Sequence, residues 1–280
     1  RAAITDSSLY QRPDTLNDAL AILAGDNYQI AAGCTDLFPA TQHKELGGRT
    51  LDITAIAGLR GITETAYGLR IGATTTWSDI IKADLPPCFN GLKLAAREVG
   101  ATQIQNRGTL AGNLCNASPA ADGIPPLLTL DASVEITSLR ADRRVSLLAF
   151  LKGPRQVDLA PDELVTAIHI PQSALQGRSH FLKLGARKYL VISIAMTAAR
   201  ITIADGVVTQ AALAVGSCGP VATRLPAVEP LLHGRPLEAK IIASAVEGPA
   251  LSPIDDIRAD AAYRAGSAAE LLRRTVEGLT

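Results

Sequence analysis

The sequence predicts an α+β fold in about two domains, on three observations. At 280 residues the chain exceeds the roughly 100–200 residues of one ordinary domain. Short helical periods alternate with short strand-like runs over its first part. Further on, two longer strand-like runs meet at Asp205-Gly206, a dipeptide that favours the left-handed backbone of a tight hairpin.

Taken in order, Leu16, Ala19, Leu20 and Leu23 recur at i, i+3, i+4 and i+7 between Asp14 and Gly25, which predicts an amphipathic helix over 14–24. Residues 28–32 are too few for a helix and read as a buried strand running into Gly33. Residues 51–53 and 69–71 are further strands, each closed by turn-type residues. A helix is expected over 74–83, where Thr74, Thr75 and Thr76 offer hydroxyl caps. Residues 95–99 end another helix, with Gly100 where a capping glycine belongs. Residues 103–118 fit neither period and predict a long polar loop, a feature compact domains usually keep for function. A helix opened by Pro119 is expected over 119–130, then a hairpin from 134–139 and 145–148. The alternating run 164–170 stops at Pro171. Strands over 191–203 and 207–215 and a helix over 260–279 complete the chain, and a domain boundary falls near 171–177, where proline, glycine and polar residues cluster.

Composition excludes several functions. With 27 basic against 27 acidic side chains, no broad basic face exists to neutralise a nucleic-acid backbone. No apolar run reaches the roughly 18 residues of a membrane span, and the polar start lacks the apolar core of a signal peptide. A cytoplasmic location is expected, and the start at Arg1 without an initiator Met points to a true N-terminus further upstream. Cys34, Cys88, Cys115 and Cys218 are far apart with no C-x-x-C, which excludes zinc-ribbon and ferredoxin-type spacings and predicts free thiols. His43, His169, His180 and His233 form no H-x-x-x-H, so no metal site is expected. The common dinucleotide, triphosphate and hydrolase signatures are missing as well.

Two glycine- and hydroxyl-rich segments remain. Ala32, Gly33, Cys34, Thr35, Asp36 and Leu37 follow directly on a strand. Successive backbone N–H groups in such a turn can form an anion-binding concavity without a lysine; the plainer reading is an ordinary strand-to-helix turn. The longer segment, 105–119, gathers Asn106, Thr109, Asn113, Asn116 and Ser118 among small residues and leads to Asp122. Small residues let backbone donors approach a ligand, and amides and hydroxyls supply the mixed donors and acceptors that phosphates and polyhydroxyl chains need. The plainer reading here is a surface Ω-loop. Arg107 is either a phosphate partner or a staple of its own loop.

At these residues the chain resembles the FAD-binding medium subunit of the molybdenum hydroxylases, the group of xanthine dehydrogenase and carbon monoxide dehydrogenase. That family carries A-G-G-T-D-L in the first segment, matched by A-G-C-T-D-L at 32–37. In the second it carries Q-I-R-N-x-G-T-[IL]-G-G-N-[IL]-x-x-A-S-P-x-x-D, matched by Q-I-Q-N-R-G-T-L-A-G-N-L-C-N-A-S-P-A-A-D at 103–122. Residues 71–76, 163–171, 183–188 and 255–259, with Tyr263-Arg264, have counterparts too. The resemblance implies a two-lobed, vanillyl-alcohol-oxidase (PCMH)-type FAD-binding domain over 1–172, with lobes of about 1–53 and 54–172. A smaller α+β domain over 173–280, similar to the CO dehydrogenase flavoprotein C-terminal domain, follows. It further implies that 32–37 hold the pyrophosphate, and that Thr109, Gly112, Asn113, Asn116, Ser118 and Asp122 contact the pyrophosphate, ribityl and ribose portions of FAD. Thr74 and Ala111 join this set, Leu164 or Val165 borders the flavin, and Lys183 lies near its isoalloxazine ring and tunes it. In three places the chain departs from the pattern: Cys34 and Ala111 replace glycines, and Gln105 replaces an arginine. Where such a glycine position needs positive φ, a Cβ costs roughly 1–2 kcal/mol, which weakens FAD binding without abolishing it.

The implied function is an electron-transfer subunit with no side-chain nucleophile. A large partner with a molybdenum cofactor oxidises the substrate, a small partner with [2Fe–2S] clusters delivers electrons, and NAD+, a quinone or oxygen receives them. Four scattered cysteines cannot hold the clusters, and the chain is too short to include the molybdenum domain. Two other readings stand beside it. One is a stand-alone FAD oxidoreductase of the same fold, with Tyr189 or His180 as proton donor; the other is a flavin-free scaffold, motivated by Cys34 and Ala111.

Overall fold

The computed structural model describes residues 9–41, 47–186, 192–246, 251 and 261–280. Its first lobe is a parallel sheet in the order β1-β3-β2, from β1 (Tyr10–Gln11), β2 (Gln29–Ala31) and β3 (Thr50–Asp52). Helix α1 (Leu16–Gly25) links β1 to β2 and buries Ala19, Leu20 and Leu23 against Leu51 and Leu59. It starts later than Asp14 because Thr15 is the cap, its hydroxyl accepting from the Asp18 N–H. Short α2 (Leu37–Ala40) follows β2.

The second lobe is an antiparallel sheet in the order β4-β5-β10-β6-β7, from β4 (Ile62–Thr65), β5 (Gly68–Gly72), β6 (Ser133–Thr137), β7 (Asp142–Ser146) and β10 (Leu164–Pro171). Between β7 and β10, β8 (Leu151–Gly153) and β9 (Gln156–Val157) make a small ribbon. Helices α3 (Trp77–Lys82), α4 (Asn90–Glu98), α5 (Thr102–Gln105), α6 (Leu110–Asn116), α7 (Ile124–Thr129) and α8 (Leu147–Phe150) complete the lobe. Trp77, Phe89, Leu92, Leu114, Leu127 and Phe150 form the middle of its core.

Three expectations change here. The helix expected from Thr74 begins at Trp77, because the Thr74 and Thr75 hydroxyls bond back to the Leu59 and Gly61 carbonyls and only Thr76 serves as cap. The long polar loop over 103–118 contains two short helices, α5 and α6. The second is capped by Thr109 and stopped by Ala117, whose φ of 45° is left-handed. Pro119 does not open a helix: Ser118 turns the chain by accepting from the Ala120 N–H, and the first turn of α7 is made by Pro125 and Pro126 instead.

The remaining chain forms a four-stranded antiparallel sheet in sequence order, β11 (Arg178–Leu184), β12 (Ala195–Ala204), β13 (Val207–Gly216) and β14 (Thr223–Arg224). Asp205 and Gly206, at φ 52° and 77°, make the expected hairpin between β12 and β13. Residue 191, where β12 was expected to start, and residues 255–259 lie outside the described residues. After α9 (Lys240–Ala245), α10 (Ala261–Glu277) lays Ala268, Leu272 and Val276 into the core of this sheet.

Polar contacts join this sheet to the second lobe. Arg200 of β12 donates to the Thr129 carbonyl at 2.7 Å and to Asp131 at 3.1 Å. Arg224 of β14 donates to the Leu128 carbonyl at 3.0 Å and to Asp131 at 2.6 Å. On the far side of the junction, Ser179 donates to the Cys88 carbonyl and accepts from the Gly91 N–H. Among the described residues, no helix is long and apolar enough to cross a membrane.

Candidate functional site

Parallel strands open their carboxyl ends on one edge, where ligands of parallel sheets bind. Here β2 ends at Ala31 and turns through Ala32, Gly33 and Cys34, and Cys34 takes a left-handed φ of 59°. A left-handed residue in such a turn gathers backbone N–H groups around one concavity. Among the described residues, no acceptor takes the N–H groups of Gly33, Cys34, Thr35 or Asp36. Four neighbouring donors without an acceptor fit an anionic, oxygen-rich group such as a diphosphate.

The other wall is the 107–109 segment. A Cβ on Gly33 would land on the Arg107 carbonyl and within 2.8 Å of the Gly108 Cα, so the two backbones touch. The Trp77 N–H donates to the Gly108 carbonyl at 3.1 Å and the Leu110 N–H to the Thr75 carbonyl at 2.9 Å, which fix this wall to α3. Between the walls runs a groove of about 640 Å³, onto which Ala32, Gly33, Cys34, Thr74, Arg107 and Thr109 open. Two cations line it. Arg60 is held by Asp79 at 2.9 and 3.0 Å, whereas the Arg107 side chain makes no hydrogen bond or ion pair among the described residues.

Asn106 lines the groove as well and accepts from the Ser78 hydroxyl, whereas the other residues singled out in the sequence lie elsewhere. Asp36 and Leu37 lead into α2, and Thr35 packs its hydroxyl toward Gly108. Asn113 accepts from the Gly123 N–H at 3.2 Å and Asn116 pairs with Arg155. Asp122 forms an ion pair with Lys183 at 2.9 Å and accepts from Ser193 at 3.3 Å. Burial pushes the Asp122 carboxyl above the usual carboxylate range, against the pull of Lys183 and Ser193. Ala111, Leu164 and Val165 are buried in apolar cores, Leu164 in that of the first lobe and the other two in that of the second. So the groove brings together Ala32, Gly33, Cys34, Thr74 and Thr109, while Asn113, Ser118, Asp122 and Lys183 surround the turn before α7. Tyr189 lies outside the described residues, and His180 sits against Gly278 rather than on the groove. Sequence reasoning missed Tyr10, Phe38 and Asp52, which also line the groove; the signal available was that Asp52 ends a strand.

A family model described as the FAD binding domain in molybdopterin dehydrogenase matches residues 4–173. The chain belongs to the FAD-binding medium subunits of the molybdenum hydroxylases. A second model, the CO dehydrogenase flavoprotein C-terminal domain, matches residues 180–279 of this medium subunit. It is 34% identical over 267 residues to the xanthine dehydrogenase FAD-binding subunit of Escherichia coli, covering 93% of this chain and 89% of that one. The nicotine 6-hydroxylase medium subunit of Paenarthrobacter nicotinovorans is 30% identical over 275 residues, with 95% of each chain covered. Among solved structures, reconstituted CO dehydrogenase from Oligotropha carboxidovorans superposes with a TM-score of 0.87 at 27% identity, covering 99% of both chains. FAD is therefore its cofactor, and the enzyme class is an FAD-dependent oxidoreductase subunit.

The two glycine replacements in this medium subunit are not alike. Cys34 occupies a left-handed position, whereas Ala111 lies inside α6, where alanine is the better helix former. Half the motive for a flavin-free reading is thereby removed. Cys34→Gly is expected to raise stability and tighten FAD binding, by up to about 1 kcal/mol once the extra chain entropy of glycine is subtracted. Ala111→Gly is expected to lower stability by about 1 kcal/mol. Thermal melts and FAD titrations of both variants check this, and effects of equal sign would contradict it.

Proposed function

We propose that this medium subunit relays electrons inside a hetero-oligomer, from the [2Fe–2S] clusters of a small partner subunit to NAD+, a quinone or oxygen. A large partner holding the molybdenum cofactor would carry out the substrate oxidation. The observation that carries this reading is the set of unengaged N–H groups at Gly33, Cys34, Thr35 and Asp36, facing the Thr109 wall of the groove. The names of the relatives, each a subunit or chain of a dehydrogenase or hydroxylase, support the partners.

Bound FAD supplies one- and two-electron redox chemistry that amino-acid side chains lack. The residues of this chain hold and orient it. Backbone donors of 32–37 take the pyrophosphate, with Thr74 and Thr109 across from them. Arg107 would add the positive charge that the family motif carries at position 105, where neutral Gln105 instead donates to the Arg97 carbonyl at 3.1 Å. Gly112, Asn113, Asn116, Ser118 and Asp122 would contact its pyrophosphate, ribityl and ribose portions, and Ala111, Leu164 and Val165 would back the site from the cores. Lys183 would act on the ring as a cation already shared with Asp122, which softens its charge. Thiols take no part as nucleophiles: burial pushes Cys88 and Cys218 up to about 11 and raises Cys34 as well.

The test is purification of the chain alone and with its operon-independent interactors captured from its own cells. A yellow chain that releases FAD on denaturation, turns over no substrate alone and co-purifies with two further subunits is expected. In that complex, substrate should bleach the flavin absorbance, and NAD+, a quinone and oxygen tried in turn identify the acceptor. Substrate turnover by the chain alone would favour the stand-alone oxidoreductase, and a colourless chain that refuses added FAD would refute the relay.

A further inference from the structure

A cavity of about 500 Å³ opens where the C-terminal sheet meets the end of α7, and it shares no lining residue with the groove. Its volume falls within the range of small-ligand sites. Arg200 of β12, Gln210 of β13 and Arg224 of β14 line it, beside Asp131 from the turn after α7 and Glu229 from the turn after β14. Ala211 and Pro230 give it an apolar margin.

The two guanidinium groups are not equally compensated. Arg224 holds both oxygens of Glu229, at 2.6 and 2.9 Å, and one oxygen of Asp131 at 2.6 Å. Arg200 is left with the other oxygen of Asp131 at 3.1 Å and two neutral acceptors, the Thr129 carbonyl at 2.7 Å and the Gln210 amide oxygen at 3.2 Å. The Arg200 side chain is 4% exposed and that of Asp131 46%, so solvent screens the single anion that the buried cation has. A buried charge short of its counter-charge is costly. Burial lowers the Arg200 pKa from its ordinary value, against the pull of Asp131 and with a further push from Arg224. Donors are in surplus too. A guanidinium carries five N–H groups, of which Arg200 spends three and Arg224 four. Ser173 and His233 line the same cavity, and their side chains make no hydrogen bond or ion pair among the described residues.

We propose that this cavity binds a small organic oxyanion, a carboxylate or a phosphate monoester, whose charged oxygens take the spare N–H groups of Arg200 and Arg224 while its carbon chain lies against Ala211 and Pro230. The ligand supplies the counter-charge that Arg200 lacks. A planar guanidinium matches either oxyanion. Gln210 gives way to it, since its amide oxygen is the most distant of the acceptors on Arg200 and its side chain is exposed. Ser173 and His233 offer the remaining polar contacts.

The full chain saturated with FAD, which occupies the cradle, is titrated at constant ionic strength with malonate, with glycerol 3-phosphate and with uncharged malonamide, by calorimetry and by thermal melts. Saturable binding of at least one oxyanion with a rise in melting temperature is expected, and neither effect from malonamide; the tighter of the two anions names the oxyanion the site takes. Gln210→Glu places a carboxylate of the chain's own beside Arg200. It is expected to weaken the bound anion about ten- to a hundred-fold, as for one hydrogen bond to a charged group, and to raise the melting temperature of the chain without added anion. Arg200→Gln is expected to abolish binding; should it fail to fold, the exposed Gln210→Glu decides alone. No saturable binding of either oxyanion, equal binding of malonamide, or an unchanged affinity in folded Gln210→Glu overturns the site.

Discussion

Gly33→Ala is expected to cost the protein its flavin. A Cβ at this position meets only backbone, the Arg107 carbonyl and the Gly108 Cα, so no side chain can swing aside. The 107–109 wall is itself tied to α3 through Trp77 and Thr75, and the turn after β2 would have to move instead. Overpacking of this kind costs about 1–3 kcal/mol of stability. The effect on FAD should be larger than on folding, because the displaced turn carries the four free donors of the cradle. Loss of at least about a hundred-fold in affinity, near 2.7 kcal/mol, with a folded protein by circular dichroism, is the expected result. A variant that keeps wild-type FAD affinity would show that the cradle does not hold the pyrophosphate.

Lys183→Met should have the second large effect, on stability and on its dependence on pH. Lys183 and Asp122 are 6% and 11% exposed at their side chains. Removing one partner of such a buried pair costs about 3–5 kcal/mol, because the remaining charge has no counter-ion. With burial already raising the Asp122 carboxyl, loss of the ammonium raises it further and the group takes up a proton. A carboxyl raised in the folded state contributes its full stability only below the ordinary value of about 3.9 and loses it as pH rises through the folded value. The melting temperature of Lys183→Met should therefore fall as pH is raised toward neutrality. Asp122→Asn added to it should flatten that slope. A single variant whose melting temperature tracks wild type across this range would rule out a structural ion pair here.

Local signals made much of the fold legible. The spacing of Leu16, Ala19, Leu20 and Leu23 marked α1, and Asp205-Gly206 marked the hairpin that adopts two left-handed residues in succession. Misreadings came where short-range chemistry competes with periodicity. Thr74 and Thr75 look like caps but bond across to the 59–61 segment, and α6 has seven residues, too few for its buried Leu110 and Leu114 to make a recognisable period among polar neighbours. At the site, the motif residues of the cradle were readable because they are contiguous. Tyr10 and Asp52 were not, because β1 and β3 reach the groove only through the order of the strands, and Phe38, one residue past the motif, carried no polar signal. The difference between Cys34 and Ala111 was equally hidden, since it lies in backbone conformation and not in residue type.

The double grip on Asp131 has a mechanical meaning. Arg200 and Arg224 reach from two strands of the C-terminal sheet to one carboxylate and to the carbonyls at the end of α7. The opposite end of that helix is tethered by Asn113, which belongs to the helix capped by Thr109 on the groove. The C-terminal sheet, α7 and the groove wall are thus linked through hydrogen bonds from end to end, and a calorimetric melt of the chain is expected to show one transition rather than two.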